Sequence, residues 1–297
     1  MSQKQNDILR WGVRERNTDK SRISYPVELF PLTFKDAGVA SKISGDPGVC
    51  VVRTDSNQII CHASEDYQLV PHNDILSIVE ETFKVNNILF ELYDIHTGGG
   101  KYNKMYANYI LSEYTFEIEG DSFTPFIQVY NSYDKSLLFG SITGLYRNAC
   151  WNGNLWGTRD MQLIRSKHVG NKIDLFNVFT SMDKWVEGLG IAKFNLQKLL
   201  HQQLSSTVIE DVINSIFATK RDRKLIVESD LISNSITEFG DNRYALFNAV
   251  TNYATHKLPL LTTNYDWSFE IQKKITSIFF MDELTNKGNF HGTNSSR

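Results

Sequence analysis

Residues 88–133, ILFELYDIHTGGGKYNKMYANYILSEYTFEIEGDSFTPFIQVYNSY, decide the fold class. Four runs rich in β-branched and aromatic residues follow one another here: Ile88–Ile95, Met105–Ser112, Tyr114–Gly120 and Phe126–Tyr133. Turn formers separate them, with Gly98-Gly99-Gly100 after the first run and Gly120-Asp121 after the third. Strands on short connections pair antiparallel, because a parallel return needs a crossover of a dozen or more residues. The stretch therefore predicts an antiparallel β-meander.

Upstream, VCVVRTDSNQIICHA (Val49–Ala63) reads as a β-hairpin whose turn is Thr54-Asp55-Ser56-Asn57. NDILSIVEETFKVN follows, with Ile75, Ile78, Val79 and Phe83 on one face at helical spacing and Asn73 or Asp74 as the expected N-cap. That helix is expected to cover one face of the meander. Downstream of about Leu163 the hydrophobic period changes to that of helices. Leu175, Val178, Phe179, Met182, Trp185, Val186 and Leu189 form one stripe behind Asp174 as N-cap. Similar stripes run through Val208–Phe217, Leu246–Tyr253 and Ile271–Phe279. Strands first and helices after make an α+β chain, not the alternation of a doubly wound fold. The expected organisation is a polar arm over 1–24, an antiparallel α+β core over 25–162, a helical region packed on it over 163–284, and a flexible tail over 285–297.

Composition narrows the function classes. Of 297 residues, 41% are hydrophobic and 22% charged, as in ordinary globular chains. Lys and Arg number 31 against 34 Asp and Glu, so a nucleic-acid site, if present, must be a local patch on a molecule of formal charge −3. The three cysteines, Cys50, Cys61 and Cys150, are too few for a disulfide framework and suit a reducing compartment. The first twenty residues have no apolar signal-peptide core, and no run approaches eighteen apolar residues. A cytoplasmic location and no membrane partner are expected.

Four blocks are distinctive: Tyr67–Asn73 (YQLVPHN) with its preceding hairpin, Asn131–Gly157 (NSYDKSLLFGSITGLYRNACWNGNLWG), Ser166–Asp174 (SKHVGNKID) and Asn242–His256 (NRYALFNAVTNYATH). Together they resemble the phage/plasmid-like proteins carrying domain of unknown function 932. The second block is the most specific. It resembles an Asn-Ser-x-Asp-Gly-Ser segment, a strand, and then Arg-x-x-Cys-x-Asn, here Arg147, Cys150 and Asn152. Lys135 stands where that pattern usually has Gly, a departure expected to alter one turn. The resemblance implies a mobile-element setting, in a phage, prophage or plasmid, and no particular reaction.

Several chemistries find little support in these residues. Gly98-Gly99-Gly100-Lys101 lacks the spacing and the following Ser or Thr of a phosphate loop, since Tyr102 follows the lysine. Cys150 with His168 could form a nucleophile pair beside Arg147, but Leu145, Tyr146 and Trp151 suit a buried thiol better. Cys50, Cys61 and His62 lie on one hairpin without zinc-ligand spacing. The carboxylate pairs Glu80-Glu81 and Asp282-Glu283 read as solvated helix faces. No metal, nucleotide or other cofactor is indicated.

The basic segments point further. Arg159, Arg165, Lys167, His168 and Lys172 fall just after the aromatic, Asn-rich turn Tyr146–Trp156. Cations that neutralise phosphates beside rings on which bases stack are what a single-strand binder needs. Arg147 belongs to the same set, Tyr146 and Trp151 are its stacking candidates, and Lys101 and Lys104 sit at a hairpin tip that could join the groove. Lys220–Lys224 (KRDRK) is expected as a second basic cluster in an interhelical loop. The leading expectation is a mobile-element accessory protein that binds or anneals single-stranded DNA. The order of hairpin, helix and meander is similar to that of single-strand annealing proteins, and such proteins assemble as homo-oligomers. The alternative is a protein-binding antagonist of a host defence or restriction system, whose partner is a host protein. An enzyme centred on Cys150 and His168 ranks last.

Overall fold

The meander is present and larger than its four runs suggest. The structure is a computed structural model that describes residues 17–32, 48–98, 103–137, 139–149, 152–156, 165–166, 182–258 and 265–284. Its main sheet contains β4 (Glu91–Gly98), β5 (Lys104–Ile110), β6 (Phe116–Ile118), β7 (Asp121–Ser132), β8 (Phe139–Arg147), β9 (Asn152–Trp156) and β10 (Arg165–Ser166). The order is β10-β8-β7-β5-β4, with β6 added to β7 and β9 to β8, and every pairing is antiparallel. A smaller sheet of β1 (Val27–Pro31), β2 (Val49–Arg53) and β3 (Gln58–Ala63) contains the expected hairpin. Its turn ends on Asn57 at φ 52°, a left-handed position that asparagine tolerates.

Alternation along each strand gives the main sheet two faces. The first face bears Ile95, Met105, Ala107, Tyr109, Ile127, Val129, Thr143 and Leu145. It packs on α1 (His72–Val85), where Tyr109 meets Phe83 at 5.6 Å, and on α2 (Met182–Leu200), where the Trp185 indole donates to Thr143 Oγ1 at 2.7 Å. The second face bears Tyr106, Asn108, Ile110, Phe126, Gln128, Ile142 and Tyr146. It receives Tyr265 and Phe269 from α7 (Tyr265–Leu284). The sheet is thus buried on both sides, where a helix over one face was expected. β8 shows the result most clearly, since all nine residues of FGSITGLYR are buried. A strand covered on both faces loses the polar–apolar alternation by which strands are usually recognised.

The helical part continues with α3 (Ser206–Ile216), α4 (Lys220–Glu228), α5 (Leu231–Phe239) and α6 (Arg243–Asn252), the last running on through a π-turn at Tyr253–Lys257. Side chains of Ser205, Thr219 and Asn242 cap the starts of α3, α4 and α6 by accepting from Val208, Asp222 and Ala245 N–H. Gly240 ends α5 at φ 83°, as a C-terminal glycine should.

Several expectations need correction. α1 begins at His72 behind Pro71 and has no side-chain cap. Asn73 instead exchanges hydrogen bonds with Ser24. Lys220–Lys224 is not a loop but the opening of α4, made helical by the Thr219 cap, and Arg223 folds back onto the carbonyls of Phe217 and Ala218. Glu80 is not merely solvated, because it accepts from the Tyr109 hydroxyl and pairs with Lys20, each at 3.0 Å. Asn17–Ser24 packs against the fold. Ile95 N–H donates to Asn17 O at 2.6 Å, and Ile23 is buried in the main core. The rest of the polar arm, the tail over 285–297 and Asp174 fall outside the described residues.

Buried phenols are a recurring feature of this core. Burial raises the hydroxyls of Tyr106, Tyr109 and Tyr244 well above their ordinary range, with Asp266, Glu80 and Asp121 adding to the effect. Burial also pushes Tyr133 up to about 12. The folded chain holds these protons where the unfolded chain releases them at about pH 10. Their contribution to stability is therefore complete below about pH 10 and is lost as pH rises toward the folded values. The tyrosinate absorbance of these hydroxyls should consequently appear together with the change in far-ultraviolet circular dichroism in one alkaline transition. Ionisation of all 13 tyrosines well ahead of any loss of secondary structure would contradict this.

Candidate functional site

Of the ten residues expected to contact nucleic acid, Tyr146, Arg147, Lys104 and Arg165 lie in described strands. Tyr146 and Arg147 do not form a joint binding surface, because neighbours on a strand point to opposite faces. Tyr146 is packed on the second face against Phe126 and Tyr93, at 4.3 and 5.0 Å, and its hydroxyl accepts from Asn108 Nδ2 at 2.9 Å. Arg147 is 3% exposed. Its Nε donates to Asp121 Oδ2 at 2.5 Å, its Nη2 to Glu238 Oε1 at 2.6 Å, and its guanidinium lies 4.4 Å from the Phe239 ring centre. The Tyr244 hydroxyl donates to the same Asp121 oxygen. Both residues are therefore corrected to structural roles. Arg147 is an internal cation that fastens the sheet to α5 and α6, and Tyr146 is a core ring.

Lys104 and Arg165 lie at the other end of the sheet. Arg165 pairs with Gly140, Gly140 with Tyr130, and Tyr130 with Tyr106, two residues from Lys104. Three strand spacings put β10 about 14 Å from β5. Gly140 and Arg147 are seven residues apart on β8, roughly 23 Å. Lys104 is itself paired, its ammonium 2.6 Å from Asp266 Oδ2. The hairpin between β7 and β8 brings the exposed Lys135 to this same end. Lys101, Trp151, Arg159, Lys167, His168 and Lys172 lie outside the described residues, as does the Cys150–His168 pair.

A second constellation escaped the sequence reading. On the second face, Gln128 Nε2 donates to Asn108 Oδ1 at 2.7 Å and to the Tyr265 hydroxyl at 3.1 Å, while Asn108 passes a hydrogen bond to Tyr146. Tyr265 stacks on the His96 ring at 3.9 Å and 3°, and His96 Nε2 lies 3.2 Å from Asp94 Oδ2. Asp266 accepts from the Tyr106 hydroxyl at 2.6 Å and also holds Lys104. These groups come from β4, β5, β7, β8 and α7, and only the strand register brings them together. No sequence motif marks them. The available signal was weak: polar residues at alternate positions, Asp94 and His96 or Lys104 and Asn108, in runs otherwise suited to burial. The network pins the first turn of α7 to the sheet.

The blocks that carry the family resemblance meet in space. Asn131 Nδ2 reaches Val70 O at 3.1 Å and His72 Nδ1 at 2.9 Å. Only the amide nitrogen can donate to a carbonyl, so Val70 O fixes the orientation of Asn131 and makes His72 Nδ1 an acceptor. Tyr133 stacks on His72 at 3.9 Å, and its hydroxyl accepts from His72 N–H. The first and second blocks thus form one joint, with Arg53 over the Tyr25 ring at 4.0 Å beside it. The second and fourth blocks form another, where Thr255 Oγ1 bonds both N–H and C=O of Gly153. Cys61 donates to Tyr133 O and burial raises its thiol, while Cys50 lies 3.6 Å from His62 Nδ1. The two cysteines occupy opposite faces of the hairpin. Among the described residues no cluster of three or more His, Cys, Asp or Glu could hold a metal ion.

Lys135 has a physical explanation. It sits at φ 62° after Asp134, whose carboxylate accepts from Ser136 N–H. The left-handed region costs a non-glycine residue roughly 1–2 kcal/mol. Lys135→Gly should therefore stabilise the chain by about 0.5–1 kcal/mol in urea unfolding once the entropy of the freer unfolded glycine is deducted. Arg147→Met should destabilise it by about 3–5 kcal/mol, because Asp121 loses its buried counter-charge. Arg147→Lys should recover part of that loss, since lysine restores the charge without the fork.

Neither a curated protein nor a solved structure matches the chain. A family model described as domain of unknown function (DUF932) matches residues 60–276, from β3 through most of α7. That span takes in both joints and the whole main sheet, and the chain belongs to the DUF932 family.

Proposed function

We propose that this chain is an accessory protein of a mobile element that holds a single nucleic-acid strand at the β10 end of its main sheet. One observation supports this reading above the others: Arg165, Lys104 and Lys135 come from three separate segments and share that end of the sheet. The chain runs from Ser166 directly into Lys167 and His168, with Lys172 close behind, and approaches Lys104 through Lys101. A strand binder needs such cations spread over the span of a few nucleotides, and about 14 Å across the sheet is of that order. Tyr130, half-buried on the same cross-strand row, offers a ring at this end. Arg147 and Tyr146 have no part in the reading, and the mobile-element setting rests on the resemblance of the four blocks.

Binding of labelled oligonucleotides titrated with salt tests the proposal. The affinity should fall steeply with salt, and loss of each phosphate contact should lower the slope by about 0.7. Arg165→Ala, Lys135→Ala and Lys167→Ala should each weaken binding without altering the fold. Absence of binding at the lowest salt, or three variants indistinguishable from the parent chain, would refute it.

A further inference from the structure

Lys104, one of the cations at the β10 end of the main sheet, is held by a carboxylate of its own chain. Its ammonium lies 2.6 Å from Asp266 Oδ2, the one ion pair it forms among the described residues. Asp266 stands in the first turn of α7, where the helix dipole favours an acid. Its other oxygen, Oδ1, accepts from the Tyr106 hydroxyl at 2.6 Å. Tyr106 is buried and lies two residues from Lys104, on the same face of β5. The phenol therefore fixes the carboxylate through one oxygen, and the lysine meets the other. Tyr265, stacked on His96 and accepting from Gln128 Nε2, keeps the same turn of α7 against the sheet.

The ion pair lies at the border between core and solvent. The Lys104 side chain is 14% exposed and that of Asp266 22%, so a dissolved anion can reach the ammonium. A carboxylate and a phosphate offer an ammonium the same acceptor, an anionic oxygen. Lys104 carries its charge on a flexible four-carbon stem and can exchange one such oxygen for another by side-chain rotation alone. Tyr106 retains its bond to Asp266 throughout, so the exchange asks no movement of α7.

We propose that Asp266 is a built-in competitor for the nucleic-acid strand: it occupies the ammonium of Lys104, and a phosphate of the bound strand takes its place. This role of Asp266 rests on the nucleic-acid reading of the sheet end and adds regulation to it. A binding group available about a tenth of the time lowers apparent affinity roughly tenfold. In the parent chain, the charge uncovered on Asp266 also offsets part of the counterion release at that phosphate.

Fluorescence anisotropy of a labelled oligothymidylate, titrated with salt against the full chain, tests the proposal. Asp266→Asn keeps an oxygen for the Tyr106 hydroxyl and removes the charge. It should tighten binding about three- to tenfold at low salt and steepen the salt slope by up to about 0.7. Asp266→Ser provides a second variant should the first fail to fold. Glu270→Gln is the control, because Glu270 lies one turn further along α7 and pairs with Lys273 instead. It removes the same charge from the same helix and should leave affinity within about twofold of the parent. Asp266 variants no tighter than a parent chain that binds overturn the competitor alone, as does a Glu270→Gln variant that gains as much. Parent and variants all failing to bind at the lowest salt overturns the nucleic-acid reading and the competitor with it. A variant that binds where the parent does not supports both.

Discussion

A sheet covered on both faces leaves its polar side chains no water, and most of the architecture follows from how those groups are satisfied. Thr143 finds the Trp185 indole, Tyr109 finds Glu80, Tyr106 finds Asp266, and Arg147 finds Asp121 and Glu238. The Arg147–Asp121 pair joins β8 to β7, and the other four bonds tie the sheet to four different covering elements: α2, α1, α7 and α5. Burying apolar area alone would let the helices slide over a smooth surface. A buried donor left without its acceptor costs about 1–3 kcal/mol, so each bond penalises displacement of the helix it holds. The helical layers are therefore positioned by chemistry as well as by volume.

Arg147 illustrates this best. Asp121 opens β7, Arg147 closes β8, Glu238 ends α5 and Tyr244 begins α6, and all four groups meet at one point. A cation placed there neutralises two carboxylates that would otherwise repel each other. The guanidinium suits the position because its fork addresses both carboxylates at once while its plane lies over Phe239. The Arg/Cys/Asn spacing in the family-like block is thus, at its first residue, a feature of assembly.

Much of the fold was legible because hydrophobic period is a local property. The hairpin at Val49–Ala63, the helix over His72–Val85, the meander, and the helices α2, α3, α6 and α7 follow from spacing, whereas α4 and α5 were not anticipated. β9 and β10 are not legible in this way, and neither is the two-sided burial, because both depend on what packs from far along the chain. The candidate site was misread for the same reason. A cation beside an aromatic reads as a stacking platform in one dimension, yet positions 146 and 147 face opposite ways once the strand forms. In the Lys220–Lys224 run, a threonine cap decided between loop and helix. The network of Asp94, His96, Asn108, Gln128 and Tyr265 depends on register, which no single segment encodes.

Two-sided burial also limits where any activity can reside. The face that a one-sided sheet would offer to a ligand is taken by Tyr265 and Phe269, which leaves strand ends, hairpins and outer helix faces. At the β10 end, Asp266 already balances Lys104 and Asp134 stands next to Lys135, so the local field is weaker than the number of lysines suggests. Attraction to a polyanion there depends on cations without a carboxylate neighbour. At formal charge −3 the rest of the molecule offers no general pull toward phosphate. Such a surface favours partners that engage several cations at once over those that merely approach, and the distinction appears as salt sensitivity.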